Sequence, residues 1–301
     1  MKLSVFLELV EIKAKTASIF PFLLGTFYAL YHFQQLNLLN SCLFFIAMLL
    51  FNMSVDINDN YWDYKNATGQ EKFRQQTNVI GVNHLDINKV GWLGLSMAIV
   101  AALIGIYLVS RVGWILLFLG IFCFAVGFLY AGGPFPLDSL PLGELFSGFT
   151  MGFVIFLIAV YINVVPTVIF NWQFIVPIFI ASGLSQCAIS SLLLANNICD
   201  YQEDIDLGRH TIVRFLGVSN SLWFYAALLI LGYGLLLISM LLHILPWTML
   251  LTFLVIPLVY QNTKKFFQVH IKKQTFPLAV KNLFIITLTQ VISLAIGLMF
   301  R

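Results

Sequence analysis

Residues 90–109 read VGWLGLSMAIVAALIGIYLV, twenty positions without one charged side chain. A bilayer core about 30 Å thick is crossed by about 20 such residues in helical form. Working outward, comparable runs lie near 14–34, 39–57, 89–109, 112–131, 142–163, 173–197, 221–243, 245–262 and 278–300. Backbone groups cannot be left open in lipid, and these runs lack the alternation of a barrel strand. The class is therefore all-α: an integral membrane bundle of nine transmembrane helices, with residues 1–301 read as one domain. Pro21 and Gly25 interrupt the first run, and no small-residue cleavage site leads from it into a soluble domain. It reads as a helix of the bundle and not as a signal peptide.

Composition agrees. Apolar residues make up 60% of the chain and charged ones only 10%, against roughly 25% charged in an average soluble domain. So few charges cannot cover a water-soluble fold of this size. A cytosolic enzyme, a secreted disulfide scaffold and a disordered tail are excluded. The net charge of +3 is too small to argue for a polyanion, so no nucleic acid is expected. Cys42, Cys123, Cys187 and Cys199 lie in or beside apolar runs without CxxC spacing, and read as small buried hydrophobes.

Topology follows the basic residues. With a cytoplasmic N-terminus, only Arg111 and Arg301 of the sixteen Lys and Arg fall outside, and all thirteen acids fall inside. A cell-membrane, multi-pass protein with its chemistry at the cytoplasmic face is expected. The two long charged inner loops, 58–88 and 199–220, resemble each other. Each runs from an acidic helix end through basic residues to a Gly-Val pair, Gly81-Val82 and Gly217-Val218. Duplication and chance both account for this; either way, two matching polar loops suggest two halves of one site.

The inner end of the second run reads Asp56-Ile57-Asn58-Asp59-Asn60-Tyr61-Trp62-Asp63-Tyr64-Lys65. Asp59 and Asp63, four apart, share a helix face with Cβ atoms about 5–6 Å apart. A carboxylate in a spanning helix costs about 2.5–3.5 kcal/mol near the bilayer centre, so a bound cation is one reading and a wetted, capped helix end the other. The sixth run ends Asn196-Asn197-Ile198-Cys199-Asp200-Tyr201-Gln202-Glu203-Asp204-Ile205-Asp206, where Asn196, Asp200 and Asp204 make a second stripe. Oxygen ligands without His or Cys suit Mg²⁺ held between carboxylates and substrate phosphates. Lys65, Lys72 and Arg74 follow the first stripe, and Arg209, His210 and Arg214 the second. They read either as a headgroup-facing surface or as a diphosphate clamp. The Lys264–Lys273 cluster has no acids beside it and reads as a topology signal. Tyr130, where Gly132, Gly133 and Pro134 break the fourth helix, reads as a belt tyrosine or as a cavity residue.

The two acid stripes resemble the Asp-rich motifs of the UbiA superfamily of intramembrane aromatic prenyltransferases. Leu129-Tyr130-Ala131-Gly132-Gly133-Pro134-Phe135-Pro136-Leu137 with Pro141-Leu142-Gly143-Glu144-Leu145 is similar to the branch that acts on 1,4-dihydroxy-2-naphthoate. So are Gly208-Arg209-His210-Thr211-Ile212-Val213-Arg214-Phe215-Leu216-Gly217 and the opening Lys13-Ala14-Lys15-Thr16 with Pro21 and Leu24-Gly25. The resemblance covers essentially the whole chain. It implies transfer of a polyprenyl group from polyprenyl diphosphate to 1,4-dihydroxy-2-naphthoate within the lipid bilayer, releasing diphosphate and CO₂. It also implies Mg²⁺ on Asp59, Asp63, Asn196, Asp200 and Asp204. Substrate or diphosphate binding would fall to Lys13, Asn60, Lys65, Lys72, Arg74, Asn196, Asn197, Arg209 and Arg214, with Asp59, Asp63, Asp200, Asp204 and Tyr130 catalytic. The family's first motif, Asn-Asp-x-x-Asp-x-x-x-Asp, fits in two registers. Both keep Asp63, both leave Asp56, Asp59 and Asn60 as alternatives, and Ala67 stands where a third acid is usual. Another aromatic acceptor, or a secondary transporter, are the rival readings. One-sided acids and nearly chargeless outer links weigh against transport.

Overall fold

In the computed structural model, residues 1–67, 71–132 and 136–301 are described, without the side chains of 71–73. The order is α1 (Leu3–Leu9), α2 (Thr16–Phe33), α3 (Leu38–Asn66), α4 (Glu71–Gln76), α5 (Val79–Val82), α6 (Ile87–Val112) and α7 (Trp114–Ala131). Then follow α8 (Gly143–Ser147), a π-helical segment (Gly148–Val154), α9 (Ile155–Val164), α10 (Trp172–Ala181), α11 (Gly183–Cys199) and α12 (Tyr201–Asp206). The last are α13 (Ile212–Leu241), α14 (Ile256–Gln268) and α15 (Phe276–Met299). Among the described residues there is no strand.

Among the described residues six helices are long and apolar enough to cross a membrane: α3, α6, α7, the continuous Gly143–Val164, α13 and α15. The pair α10 and α11, bent by 55°, makes up to seven. The nine sequence segments all fall on helical elements, and the difference in number has local causes. Segment 14–34 becomes α2, with Pro21 inside it. Segment 245–262 divides into a 3-10 turn (Trp247–Val255) and α14. Pro257 has no N–H to give the carbonyl four residues back, so it opens α14 instead of continuing a helix into it. In α10, which contains Pro177, the Phe179 carbonyl takes bonds from Gln186 Nε2 (3.0 Å) and Ser182 Oγ (3.1 Å). Side chains thus satisfy backbone at the break, as an apolar surrounding requires.

The chain forms two compact units, Met1–Lys15 with Cys42–Leu140 and Thr16–Ser41 with Pro141–Arg301. In the first, Leu9, Val10, Ile57, Ile80 and Val90 form the core, joined by Phe6, Met53 and Leu93. Ser54 Oγ donates to the Gly94 carbonyl (2.8 Å) and ties α3 to α6. Phe51 stacks on Phe124 of α7 with ring centres 3.9 Å apart. Trp92, Leu103, Ile106, Trp114 and Phe118 stand exposed, as a lipid-facing surface allows. Of the four free cysteines Cys187 is buried, whereas Cys42 is exposed, so the reading of all four as buried holds only in part.

Neutral amides hold the second unit together. Asn163 Oδ1 accepts from the Asn37 amide (2.7 Å) and from Ser41 Oγ (3.0 Å), while its Nδ2 donates to the Ala159 carbonyl (2.7 Å). Asn262 donates to Asn282 Oδ1 (2.8 Å), and Asn282 to the Tyr225 hydroxyl (3.2 Å). An unmade bond to a buried donor costs about 1–3 kcal/mol. Asn163→Leu, which strands both the Asn37 amide and the Ser41 hydroxyl, is therefore expected to lower the melting temperature in detergent more than Ser41→Ala does; equal melting of the two variants would contradict the hub role.

Candidate active site

Helix α3 runs unbroken to Asn66, so Asp56, Asp59 and Asp63 share one helix. Their surroundings differ. Lys15, only 2% exposed, donates to the carboxylate of Asp56 and the side-chain oxygen of Asn52. The Asn60 amide turns back onto the Asp56 carbonyl (3.0 Å), and the Asn60 carbonyl accepts from Asn78 Nδ2 (3.0 Å). Asp59 and Asp63 meet a third acid, Asp138, from the short 3-10 turn Leu137–Ser139. One oxygen from each of the three lies within 4.8 Å of the others. Three hard oxygen donors at this spacing fit a divalent cation of the Mg²⁺ type. Of the alternatives left open by the motif's registers, Asp59 lies with Asp63, whereas Asp56 is engaged by Lys15.

The basic residues after this stripe rest on aromatic faces. Lys65 Nζ lies 4.7 Å from the Trp62 ring centre and 5.6 Å from that of Tyr61, and the Arg74 guanidinium lies 4.5 Å from that of Tyr64. Such contacts are worth about 0.5–1 kcal/mol at exposed sites. Lys13 is exposed, two residues from buried Lys15. Tyr130 is half-buried in the last turn of α7. A Cβ on Gly132, just after it, would lie 3.1 Å from Trp62 Nε1, so the end of α7 sits against the acid helix. The Lys72 side chain, with Gly133 and Pro134, lies outside the described residues.

The second stripe crosses a helix junction. Helix α11 stops at Cys199, Asp200 serves as its C-cap and as the N-cap of α12, and the Asp204 amide donates to the Asp200 carbonyl (2.8 Å). Asn196 Nδ2 donates to Asp200 Oδ2 (3.0 Å). Lys272 lies on both, donating to Asn196 Oδ1 (2.5 Å) and to the Asp200 carboxylate. The reading of the Lys264–Lys273 cluster as topology alone is therefore corrected for Lys272, which sits on an acid stripe distant in sequence. Arg209 reaches Asp204 Oδ1 (3.5 Å), and Arg214 donates to the Arg209 carbonyl (3.0 Å). Asp204 is buried, and its Oδ2 has no hydrogen-bond partner among the described residues, a position a bound cation or substrate donor would satisfy. Asn197, next to Asn196, turns to a buried carboxyl, donating to Glu144 Oε1 (2.8 Å).

Asp138, Lys15, Asn52, Glu144 and Lys272 are the polar residues that sequence reading did not place beside the stripes. Each arrives from a distant segment, and the local signal was the position of Asp138 soon after Gly132-Gly133-Pro134 in the sequence. The likeness of the two inner loops does not extend to their Gly-Val pairs. A Cβ on Gly81 would fall 1.7 Å from the Arg74 carbonyl oxygen, whereas Gly217 takes φ +75° at a kink in α13.

Burial pushes the Asp204 carboxyl up to about 6, with Asp200 adding to the shift while Arg209 and Lys272 oppose it. A folded-state value above the unfolded one favours the protonated form, so this contribution to stability is full below about pH 4 and lost as pH rises through 6. Without divalent metal, raising the pH from 5 to 7.5 is expected to lower the melting temperature less in Asp204→Asn than in the wild type. Parallel pH dependences in chelator would contradict it.

The model of the UbiA prenyltransferase family matches residues 18–287. A 1,4-dihydroxy-2-naphthoate octaprenyltransferase of Bacillus subtilis (strain 168) is 31% identical over 264 residues, 84% of this chain and 79% of that protein. Among solved structures, the apo form of a UbiA homolog from Aeropyrum pernix K1 superposes with a TM-score of 0.71 at 14% identity, covering 91% of this chain and 97% of that one. A UbiA homolog from Archaeoglobus fulgidus bound to DMAPP and Mg²⁺ gives 0.65 at 10% identity, covering 98% and 99%. The structural likenesses establish the fold, and the long family match with the curated relative establishes the kinship: this chain, a multi-pass membrane prenyltransferase, belongs to the UbiA prenyltransferase family.

Proposed function

We propose that the chain transfers a polyprenyl group from polyprenyl diphosphate to 1,4-dihydroxy-2-naphthoate, releasing diphosphate and CO₂ to give demethylmenaquinone. In this reading it is one domain of nine spans in the cell membrane, with a cytoplasmic N-terminus and both acid stripes at the cytoplasmic ends of the second and sixth spans. The likeness to the Bacillus subtilis enzyme supports the acceptor. The observation that carries the chemistry is the gathering of Asp59, Asp63 and Asp138 within 4.8 Å, where like charges repel unless a cation lies among them.

Asp59 and Asp63, and Asn196, Asp200 and Asp204, would hold Mg²⁺, with Asp138 added to the first set. When bound, the ion neutralises charge on the diphosphate and makes it a better leaving group. The chain's own residues do the rest. Lys65 and Arg74, held on Trp62 and Tyr64, offer cations to diphosphate oxygens, as do Lys72, Arg209 and Arg214. Lys13, Asn60 and Asn197 complete the proposed substrate-binding set. As the C1–O bond breaks, aromatic faces shield the allylic cation from water and stabilise it. The electron-rich naphthoate ring then attacks C1.

A panel of hydroxylated aromatic acceptors, given to purified protein with one radiolabelled prenyl diphosphate, tests the assignment; prenylation of 4-hydroxybenzoate in preference to the naphthoate would overturn it. Asp63→Ala or Asp200→Ala is expected to abolish turnover in protein that still inserts, and excess chelator to do the same to the wild type. Tyr130→Phe keeps the ring but removes a hydroxyl whose bond to a charged partner is worth roughly 1.5–3 kcal/mol. A rate loss of about ten- to a hundred-fold is expected, and unchanged kinetics would return Tyr130 to the membrane belt.

A further inference from the structure

Glu144 is the second deeply buried acid of its unit, 4% exposed, as is Asp204. The two are held in opposite ways. Asp204 has the guanidinium of Arg209 beside it and lies under the influence of Lys272. Around Glu144 the polar groups are neutral. Asn197 Nδ2 donates to Oε1 (2.8 Å), and Ser190 Oγ donates to the residue's own carbonyl oxygen (2.7 Å). No charged side chain among the described residues bears on its carboxyl. Its second oxygen, Oε2, is buried without a hydrogen-bond partner among the described residues. A buried carboxyl held by the Asn197 amide and its own backbone N–H, with its other oxygen left open, is costly whether ionised or protonated. Such a group is retained at a folding cost where a ligand donor completes it.

Two neighbours tie this carboxyl to the chemistry. Asn197, which orients it, directly follows Asn196, the first residue of the second acid stripe. The helix that carries Glu144 passes four residues later into a π-helical segment, Gly148–Val154. Such segments are rare and concentrate at functional sites.

We propose that Glu144 is the proton acceptor of the transfer, an assignment that rests on the hydroxylated aromatic acceptor proposed above. The acceptor's O–H donates to Glu144 Oε2. Once the C1–O bond has broken and its electron pair has left on the diphosphate, the ring carbon bonds to C1 of the allylic cation. The hydroxyl proton passes to Oε2 and the ring oxygen becomes a carbonyl, so no positive charge is left on the ring. When a carboxylate on the attacked carbon departs as CO₂, its bonding pair enters the ring and the oxygen recovers the proton from Glu144.

Glu144→Gln preserves the Asn197 bond, since the new amide oxygen accepts as Oε1 does, but it cannot take a proton. With the naphthoate acceptor, the expected result is a fall in kcat of about a hundred-fold or more, the usual range for a general base, at unchanged KM for the prenyl diphosphate and unchanged melting temperature. The acidic limb of the kcat–pH profile is expected to vanish in Glu144→Gln, and Glu144→Asp to recover part of the rate with that limb restored. Wild-type kcat with an unaltered pH profile in Glu144→Gln would overturn the assignment and leave the acceptor reading standing. A rate loss in Glu144→Gln matched by an equal loss of thermal stability, with the acidic limb retained, would also overturn it, as a structural role. Failure of the wild type to prenylate any hydroxylated ring would remove the acceptor reading and this assignment with it.

Discussion

A carboxylate carried into an apolar bundle must find a cation or a donor there, and the different ways in which the acids of this chain do so organise the molecule. Asp56 takes buried Lys15, Asp200 takes Lys272, and Asp204 takes Arg209. Lys15 and Asp56 are both largely withdrawn from solvent, so removing either leaves an uncompensated buried charge, which typically costs about 3–5 kcal/mol. Lys15 ties the N-terminal stretch to α3, and Lys272 ties the segment before α15 to the end of α11. Asp59, Asp63 and Asp138 instead bring three carboxylates within 4.8 Å of one another, an arrangement that suits a divalent cation.

The same constraint explains which features could be read from the sequence. The spans were legible because each is a local run of about 20 apolar residues, and nothing distant is needed to recognise one. The breaks were less so. Pro177 and Pro257 are visible as prolines, yet whether the backbone continues past them depends on partners such as Gln186 and Ser182, which restore a bond to the Phe179 carbonyl. Asp59 with Asp63, and Asn196 with Asp200, stood out because an i, i+4 repeat is a local signal of a shared face. The bend at Asp200 did not, because a cap that serves two helices leaves the spacing of the acids unchanged.

The cations and acids that complete these stripes arrive across long sequence separations. Asp138 lies beyond two spans from Asp63, and Lys272 beyond α13 and α14 from Asp200. No periodicity reports such meetings. Lys15 shows why composition misleads as well. With Lys13 it reads as part of a basic flank, yet one of the two is exposed and the other almost wholly buried. In the 3-10 turn Ile12–Lys15, at three residues per turn, residues two apart point about 120° apart, and that separates a surface lysine from one that balances an acid.

Away from the acid stripes, the second unit builds its interior from side chains whose charge is independent of pH. Asn163 and Asn282 each use donor and acceptor of one planar group, and Gln186, Asn262 and Gln290 donate to neighbouring polar groups. An amide suits that task because it satisfies a carbonyl and an N–H together and carries no ionisation penalty into the apolar layer. If Glu144 were only another bridge, a glutamine would serve as well, since it offers Asn197 the same acceptor. The carboxyl differs from that amide in one chemical respect, its capacity to gain and lose a proton. Its place among neutral partners keeps that capacity from being spent on a permanent ion pair.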